Sequence, residues 1–351
     1  MRHTYQLNNL PRAYQILPIN GELRTTEEDF VVDEELGFSP TGKGEHTFLH
    51  IRKRGRNTED VARALAHYSN VPRKAVSYAG LKDRNAITSQ YFSVHLPGKN
   101  DPDWQGMADS SLEFLSINRH SKKIRRGALQ RNSFRLILRE FLGSRELADQ
   151  RLVEIKRNGV PNYFTAQRFG HNANNLYHAD EVLVNSRRVR DRFIRNIYFS
   201  AARSWLFNLL LAERIHSNTW NKAIQGDSMM LNGSRSCFHI DTVDDEIRKR
   251  VDELDISPTG PLWGRGSHML TAEAADIETS SLSDWHCWKE GLEKVGQQMA
   301  RRSLRMSVAD LSWEWPEEKQ LELKFSLSPG CYATAVLREL GEFSEPERKQ
   351  I

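Results

Sequence analysis

The chain has 351 residues, of which 38% are hydrophobic and 27% are charged with both signs intermixed. This composition favours a globular protein of two domains and excludes an intrinsically disordered one. The formal net charge of +4 and the sequence pI of about 8.9 are compatible with a polyanionic partner if the positive charge is clustered.

The cysteines and the apolar runs indicate the cellular compartment. Cys237, Cys287 and Cys331 lie far apart and form no Cys-x-x-Cys pair, so we expect neither a disulfide framework nor a zinc site. The first 20 residues lack the apolar segment of a signal peptide, and no apolar run is long enough to span a membrane. We therefore expect a cytoplasmic protein without membrane association.

The first part of the chain alternates predicted strands with one helix. Alternating apolar residues predict strands, and Asn57 is an N-cap residue at the start of a helix with one apolar face. Another helix is predicted at 145–157, where Asn158-Gly159 ends it. The strands are expected within residues 21–34, 46–53, 75–78, 91–96, 112–117 and 134–138.

The middle of the chain differs from its two ends. Helices are predicted at 187–214 and 284–302, with loop-rich segments around 227–236 and 257–267. The C-terminal end again has the pattern of the first part of the chain, with a strand predicted at 321–327 and a helix at 332–340. Strands at both ends of a helical middle predict a discontinuous α+β domain that is interrupted by an insertion.

The segment Gly80-Leu81-Lys82-Asp83-Arg84-Asn85 carries the first candidate for chemistry. Asp83 is a short acid between two basic residues, in a tight connection between two predicted strands. Such an acid can act as a nucleophile, a base or a metal ligand. The alternative is that Asp-Arg-Asn only makes a turn, and the local residues by themselves favour that alternative.

Basic and aromatic segments follow. The stretch 119–127 has six residues that can carry positive charge and no comparable acidic run beside it, which favours a phosphate-contact surface over a solvated loop. Asn132-Ser133-Phe134 begins a strand, and the local residues favour the core for Phe134 over a platform for an unstacked base. In the second case Asn132 would bond a base edge or fix the catalytic loop. Residues 162–170 mix aromatics with Asn, Gln and Arg, and they suit RNA contacts and a packed domain junction equally.

Several chemical motifs do not occur. The sequence has no Walker loop, no Gly-x-Gly-x-x-Gly, no His-Glu-x-x-His and no nucleophile elbow, and its 12 histidines show no ligand spacing. We therefore expect no nucleotide cofactor and no metal.

Taken in order along nearly the whole chain, these segments resemble the TruD family of pseudouridine synthases. Each segment is weakly specific by itself, but their collinear order is specific. The segments are Glu28-Asp29-Phe30, Gly44-Glu45-His46, Asn57-Thr58, Ser77 to Asp83, Gly127-Ala128-Leu129, Asn132-Ser133-Phe134, Val160 to Phe164, Gln167 to Gly170, Ser200 to Arg203, Gly330 to Thr334 and Arg338-Glu339-Leu340.

The resemblance implies a fold and a division into domains. It implies a mixed, mainly antiparallel sheet with flanking helices, formed by residues 1–157 and 305–351, as the catalytic domain. An inserted α/β domain, the TRUD domain, would occupy residues 158–304. The RNA would bind in a cleft between the two domains.

The resemblance also implies roles for particular residues. Asp83 corresponds to the catalytic aspartate, Phe134 to the aromatic that stacks on the target base, and Asn132 to the adjacent asparagine. Arg24 stands where bacterial members usually carry Lys, and we expect it to pair with Asp83, with Lys82 also in the substrate-binding set. The candidates for RNA contact are Lys122, Lys123, Arg125, Arg126, Asn162 and Arg168.

Two further departures from the family pattern accompany Arg24. Arg131 replaces the glycine that usually precedes the Asn-x-Phe motif, and Thr165 replaces the glycine common after Asn-Tyr-Phe. Neither removes a group that the reaction requires, and Arg131 can add a phosphate contact.

The implied reaction is isomerisation of uridine to pseudouridine at position 13 of tRNA, with an Asp nucleophile and no cofactor. The target uridine must leave its stack. Asp83 would then attack C1′ of the ribose or take a proton from C2′, and the sequence leaves both routes open. We predict tRNA as the partner and no protein partner.

Two other classes of function stay open. One is an RNA-binding module without chemistry, for which Asp83 is dispensable. The other is a metal-dependent nuclease that combines Asp83 with acids such as Glu28 and Asp29.

Overall fold

The computed structural model of the protein describes residues 5–125 and 127–346. The chain divides into two compact units. We call the first the sheet unit, which comprises Pro18–Arg145, Ala309–Gly330 and Gly341–Ile351. The second, the helical unit, comprises Met1–Leu17, Glu146–Val308 and Cys331–Leu340. The segment predicted as an inserted domain lies within the helical unit, and its limits stay a prediction.

The helices and strands are numbered in chain order. The strands are β1 (Asn20–Leu23), β2 (Phe30–Leu36), β3 (His46–Arg54), β4 (Val76–Tyr78), β5 (Ile87–His95), β6 (Leu112–His120), β7 (Leu129–Leu142), β8 (Val160–Pro161), β9 (Ser228–Leu231), β10 (Cys237–His239), β11 (Ile256–Leu262), β12 (Ala300–Ser303), β13 (Arg305–Met306), β14 (Ala309–Glu317), β15 (Gln320–Leu327) and β16 (Glu342–Ser344). The helices are α1 (Thr58–Tyr68), α2 (Arg145–Asn158), α3 (Ala166–Phe169), α4 (Asn174–Leu183), α5 (Arg192–His216), α6 (Asp245–Asp252), α7 (Ala272–Ser281), α8 (His286–Lys294) and α9 (Ala333–Leu340).

The sheet unit is built on one ten-stranded mixed sheet. Its main path runs β14-β15-β7-β2-β5-β3-β6, while β1 joins β7 and β16, and β4 joins β5. The β2–β5 and β1–β16 pairs are parallel and the other pairs are antiparallel. The expected mixed, mainly antiparallel sheet is thus confirmed.

Helix α1 closes one face of this sheet. Val61 and Leu65 lie one turn apart on its apolar face and are fully buried against Leu49, Ile51 and Phe92. Asn57 precedes the helix as predicted, but its side chain donates to the Asp60 carboxylate rather than capping the backbone. Thr58, the first residue of α1, bonds Gln90 of β5, so the start of the helix lies beside that strand.

The helical unit is centred on the long helix α5. Trp205, Phe207 and Leu211 of α5 are buried in a core that also contains Trp285 and Trp288. A four-stranded sheet of order β10-β9-β11-β12 and the two-stranded pair β13-β8 complete the unit. Strands and helices occur together here, which agrees with the α/β character implied for the inserted segment.

Three predictions for the middle of the chain were wrong in detail. The helix expected at 187–214 begins at Arg192, because the Asp191 carboxylate accepts from the backbone amides of Phe193 and Ile194. The helix expected at 284–302 ends at Lys294, and Gly296 follows it with a φ of 80°. The segments around 227–236 and 257–267, expected as loops, contain β9 and β11.

No helix in the described ranges, 5–125 and 127–346, is long and apolar enough to cross a membrane.

Candidate active site

Asp83 lies in the connection between β4 and β5. Its side chain is 38% exposed, and its Oδ2 accepts a bond of 2.7 Å from Nη2 of Arg24. An acid that is held by a cation and still reaches solvent keeps both a defined orientation and access to a ligand. Arg24 was predicted to pair with Asp83, and the structure places the two side chains in contact.

Buried polar side chains hold the backbone of this connection. Gln90 Nε2 donates to the Gly80 carbonyl oxygen at 2.6 Å, and the Lys82 amide donates to Thr58 Oγ1 at 3.0 Å. Thr58, the first residue of α1, in turn donates to Gln90 Oε1 at 3.0 Å. Because Thr58 and Gln90 are buried, this segment is anchored to the sheet and to the helix at once.

Lys53 bonds the backbone of the connection that carries Asp83. Its side chain is fully buried, and Nζ donates to the carbonyl oxygens of Asp83 and Arg56 at 3.0 and 2.8 Å. Burial lowers the pKa of Lys53 to about 8, against the opposing effect of the negative charges of Asp83 and Glu34. A buried ammonium group therefore lies directly beneath the candidate catalytic residue.

Arg24 is held in a strained backbone conformation. Its φ of 60° is in the left-handed region, which costs roughly 1–2 kcal/mol for a side chain other than glycine. The guanidinium is 7% exposed, its carbon lies 3.9 Å from the centre of the Phe30 ring, and Nη1 bonds Glu345 at 2.6 Å. Two carboxylates and one ring thus fix both arms of the guanidinium, which suits the planar fork of Arg better than the ammonium of Lys.

Lys82 joins the connection to two strands of the sheet. Its Nζ lies 2.5 Å from Glu34 Oε1 on β2 and donates to Asn132 Oδ1 on β7 at 2.9 Å. Glu34 is fully buried, and burial raises the pKa of its carboxyl group while the charge of Lys82 opposes that shift. Glu34 and Asn132 are directly paired across β2 and β7, so one cation holds two neighbouring strands.

Phe134 lies on β7, two residues beyond Asn132 and on the same face of the sheet. Its partly exposed ring stacks on Phe325 at 5.3 Å between ring centres and meets the edge of Phe30 at 6.3 Å. Phe30 is also the ring under the Arg24 guanidinium. The structure therefore brings the predicted residues Asp83, Arg24, Lys82, Asn132 and Phe134 into one continuous set of contacts.

The basic stretch has exposed cations. Lys122, Lys123 and Arg125 are exposed between β6 and β7 and form no ion pair with a described residue. Arg126, also predicted to contact RNA, lies outside the described residues. Arg119 differs from these residues, because its Nε bonds the Asp101 carboxylate at 2.8 Å.

Asn162 and Arg168, the other predicted RNA contacts, lie in the helical unit. Asn162 is buried, donates to the Ser303 carbonyl at 2.9 Å and accepts from Arg302. The Arg168 guanidinium lies 5.2 Å from the centre of the Phe164 ring and donates to Ser200 Oγ at 3.1 Å. Both side chains thus have defined partners inside this unit.

The acids of the nuclease alternative are paired with cations of the sheet unit. Asp29 is buried and accepts three hydrogen bonds from Arg139, while Glu28 pairs with Arg54. Within residues 5–125 and 127–346, no group of three or more His, Cys, Asp or Glu side chains is arranged to hold a metal ion.

Arg131 and Thr165, the other two departures from the family pattern, both have defined positions in the structure. Arg131 bonds Glu35 at 2.6 Å and Asp310 at 3.0 Å, so its charge is balanced by two acids. Thr165 precedes the short helix α3 in an extended conformation.

Sequence reasoning missed four supports of the site: Glu34, Lys53, Thr58 and Gln90. The one local signal was for Glu34 and Lys53, because each is a charged residue at a position where the alternation of its strand points inward.

Comparison with solved structures defines the class of fold. A solved structure from Methanosarcina mazei, which carries the name TruD, superimposes with a TM-score of 0.69 at 21% identity and covers 94% of this chain and 95% of its own. The chain, with the mixed sheet described above, therefore has the fold of a pseudouridine synthase.

Comparison of sequences is more specific. The family model for tRNA pseudouridine synthase D (TruD) matches residues 7–187 and 174–340. The tRNA pseudouridine synthase D of Methylococcus capsulatus is 47% identical over 96% of this chain and 95% of its own, and that of Xanthomonas axonopodis pv. citri is 42% identical over 97% of both. The tRNA pseudouridine synthase D of Nitrosococcus oceani is 44% identical over 91% of this chain and 89% of its own. The chain belongs to the tRNA pseudouridine synthase D family.

Proposed function

We propose that the protein isomerises uridine to pseudouridine at position 13 of tRNA, with Asp83 as the catalytic nucleophile and without a cofactor. The observation that carries this proposal is the carboxylate of Asp83, which is 38% exposed on a backbone fixed by buried side chains and is bonded to Arg24 at 2.7 Å. A preorganised, accessible carboxylate is what an attack on ribose requires. Family membership supports tRNA as the substrate.

The reaction needs the uridine outside its stack, because the glycosidic bond is otherwise inaccessible. The ring of Phe134, backed by Phe325, is the proposed platform for the flipped base. Asp83 then attacks C1′ or takes a proton from C2′, and the bond from C1′ to N1 breaks. After the uracil rotates, C5 bonds to C1′ while the bond from Asp83 to C1′ breaks or, on the second route, while C2′ regains its proton from Asp83. C5 then loses its proton and N1 gains one, so the product is an isomer of the substrate.

Arg24 and Asn132 act through Asp83 and its connection. Arg24 orients the carboxylate and balances its charge before the attack. Asn132 was expected either to bond a base edge or to fix the catalytic loop, and its bond from Lys82 Nζ, 2.9 Å long, supports the second role. Both are therefore proposed as positioning residues.

The backbone of the tRNA is proposed to contact Lys122, Lys123 and Arg125, with Arg126, Asn162 and Arg168 as further candidates. Each phosphate contact releases counterions, so the affinity falls with salt concentration. Replacing Lys122 and Lys123 with Ala is expected to reduce the slope of log affinity against log salt by about 1.4–1.8, which filter binding at several salt concentrations measures. An unchanged slope removes the two lysines from the interface.

The decisive experiment is Asp83→Asn, which keeps the shape of the side chain but removes the nucleophile. Pseudouridine at position 13 of purified tRNA is measured by carbodiimide labelling and primer extension, with Asp310→Asn, an exposed acid of the same unit, as control. We expect no product with Asp83→Asn, full activity with Asp310→Asn, and tRNA binding by both. Near wild-type product with Asp83→Asn overturns the proposal.

The same preparation separates the other two functions. An RNA-binding module binds tRNA and forms no pseudouridine in the wild type. A metal-dependent nuclease cleaves the RNA and is inhibited by a chelator. The cytoplasm, which fits the free thiols of Cys237, Cys287 and Cys331, stays our predicted location.

A further inference from the structure

Leu81 is more exposed than any other large hydrophobic side chain in the described part of the chain, at 72%. A single exposed leucine is ordinary on a protein surface. This one differs because its place in the chain is two residues before Asp83, in the connection that carries the candidate nucleophile.

The backbone on both sides of Leu81 is fixed. The Gly80 carbonyl accepts from Gln90 at 2.6 Å, and the Lys82 amide donates to Thr58 at 3.0 Å. An apolar side chain on a mobile loop folds back onto the protein when water surrounds it. Here the anchored backbone keeps the leucine exposed, and the side of the neighbouring Gly80 on which a Cβ would lie is open as well.

The short distance between Leu81 and Asp83 determines which part of the tRNA the leucine can reach during the reaction. Two residues of extended chain span at most about 7 Å, so Leu81 lies within that distance of Asp83. Adjacent bases in a stack are about 3.4 Å apart. When the carboxylate of Asp83 reaches the target ribose, the Leu81 side chain is therefore within reach of the neighbouring base step.

We propose that Leu81 is a positioning residue that enters the base stack of the tRNA at the place vacated by the flipped uridine. Leucine is among the apolar side chains that proteins insert between base steps, where they replace lost stacking with apolar contact. Phe134 stacks on the flipped base, so it cannot at the same time fill the place in the stack that this base has left. The inference rests on the proposed function, because it takes the ribose at Asp83 as the reacting centre.

The test compares Leu81→Ala with Leu81→Met, which keeps an apolar side chain of similar length. Leu142→Ala is the matched control, because Leu142 is 57% exposed at the far end of β7 in the same unit. Single-turnover rates are measured on intact tRNA and on tRNA in which the base next to the target is replaced by an abasic linker. With intact tRNA we expect a loss on the order of tenfold for Leu81→Ala, and little loss for the two other variants.

The abasic substrate separates insertion from a structural role. It has no stack for the leucine to complete, so Leu81→Ala and wild type are expected to react at equal rates on it. An equal loss on both substrates, or no loss on intact tRNA, overturns the proposal.

A binding experiment gives a readout without turnover. A 2-aminopurine next to the target uridine brightens when it unstacks, and both proteins compared carry Asp83→Asn so that no product forms. We expect a weaker fluorescence change when Leu81→Ala is added, and an identical change contradicts insertion. The signal is read within the first moments after mixing and reports base movement before product accumulates. It therefore remains interpretable if Asp83→Asn alone proves active and the proposed function fails.

Discussion

Lys53 places a charge where the sheet unit excludes water, and the stability of the protein should therefore depend on pH in a defined range. Burial lowers the pKa of this ammonium group from 10.5 to about 8, and the nearby charge of Lys82 adds to the shift while those of Asp83 and Glu34 oppose it. Below pH 8 the group is charged in both the folded and the unfolded chain, so the cost of burying it is fully present. As the pH rises through 8 toward 10.5, the folded chain loses the proton first and that cost disappears.

The size of the effect follows from the two pKa values. At about 1.36 kcal/mol for each pKa unit, the shift from 10.5 to about 8 corresponds to roughly 3 kcal/mol. Linkage with these values gives about 1.3 kcal/mol of added stability between pH 7 and pH 9. Lys53→Met removes the titrating group and fills the same space, so the variant should lack this gain.

Urea unfolding of both proteins at pH 7 and pH 9 measures the effect. We expect the unfolding free energy of the wild type, minus that of Lys53→Met, to rise by about 1.3 kcal/mol between the two pH values. Lys319→Met is the control, because Lys319 is 59% exposed, and we expect no such change from it. If wild type and Lys53→Met respond equally to pH, Lys53 does not titrate in this range and the reasoning is refuted.

Three further predictions concern the contacts of the site. Arg24→Met removes a charge-assisted bond worth roughly 1.5–3 kcal/mol, so single-turnover rates should fall by at least about tenfold, with partial recovery in Arg24→Lys; equal rates contradict the positioning role. Lys82→Met leaves Glu34 buried without the bond to its cation, so the unfolding free energy measured in urea should fall by roughly 3–5 kcal/mol. Adding Glu34→Gln to Lys82→Met should restore part of that loss, and an unchanged stability of Lys82→Met contradicts the pairing. Phe134→Ala should lower kcat/KM by about 10–100-fold while Phe134→Tyr keeps most of it; equal losses argue against stacking.

The strands and helices with regular periodicity were predictable from local sequence. The apolar residues of β3 and β15 and the apolar face of α1 matched the structure. Helix α1 buries that face against the sheet, while the two strands are buried on both faces over part of their length. Strand β11 was missed because Pro258, Gly260 and Pro261 resemble a loop. That strand changes partner from β9 to β12 in mid-course, which local periodicity does not reveal.

The candidate site was predictable only in part, for a similar reason. Asp83, Asn132 and Phe134 stood out through the order of the motifs along the chain. The buried pair of Glu34 and Lys82 depends on the placement of β2 beside β7, and nothing near either residue in the sequence indicates a partner. Charged residues inside a strand were the available signal, and they predict burial of a charge without saying what neutralises it.

The bond between Arg24 and Glu345 joins residues that are 321 positions apart. It is possible because β16 runs parallel to β1 and carries the end of the described chain back to the turn that holds Arg24. Proteolysis or a premature stop codon after Leu340 would therefore remove one bonding partner of the arginine that bonds Asp83, while leaving every residue of the motifs intact. For the same reason, kinetic comparisons between variants require a chain that is intact through Glu345.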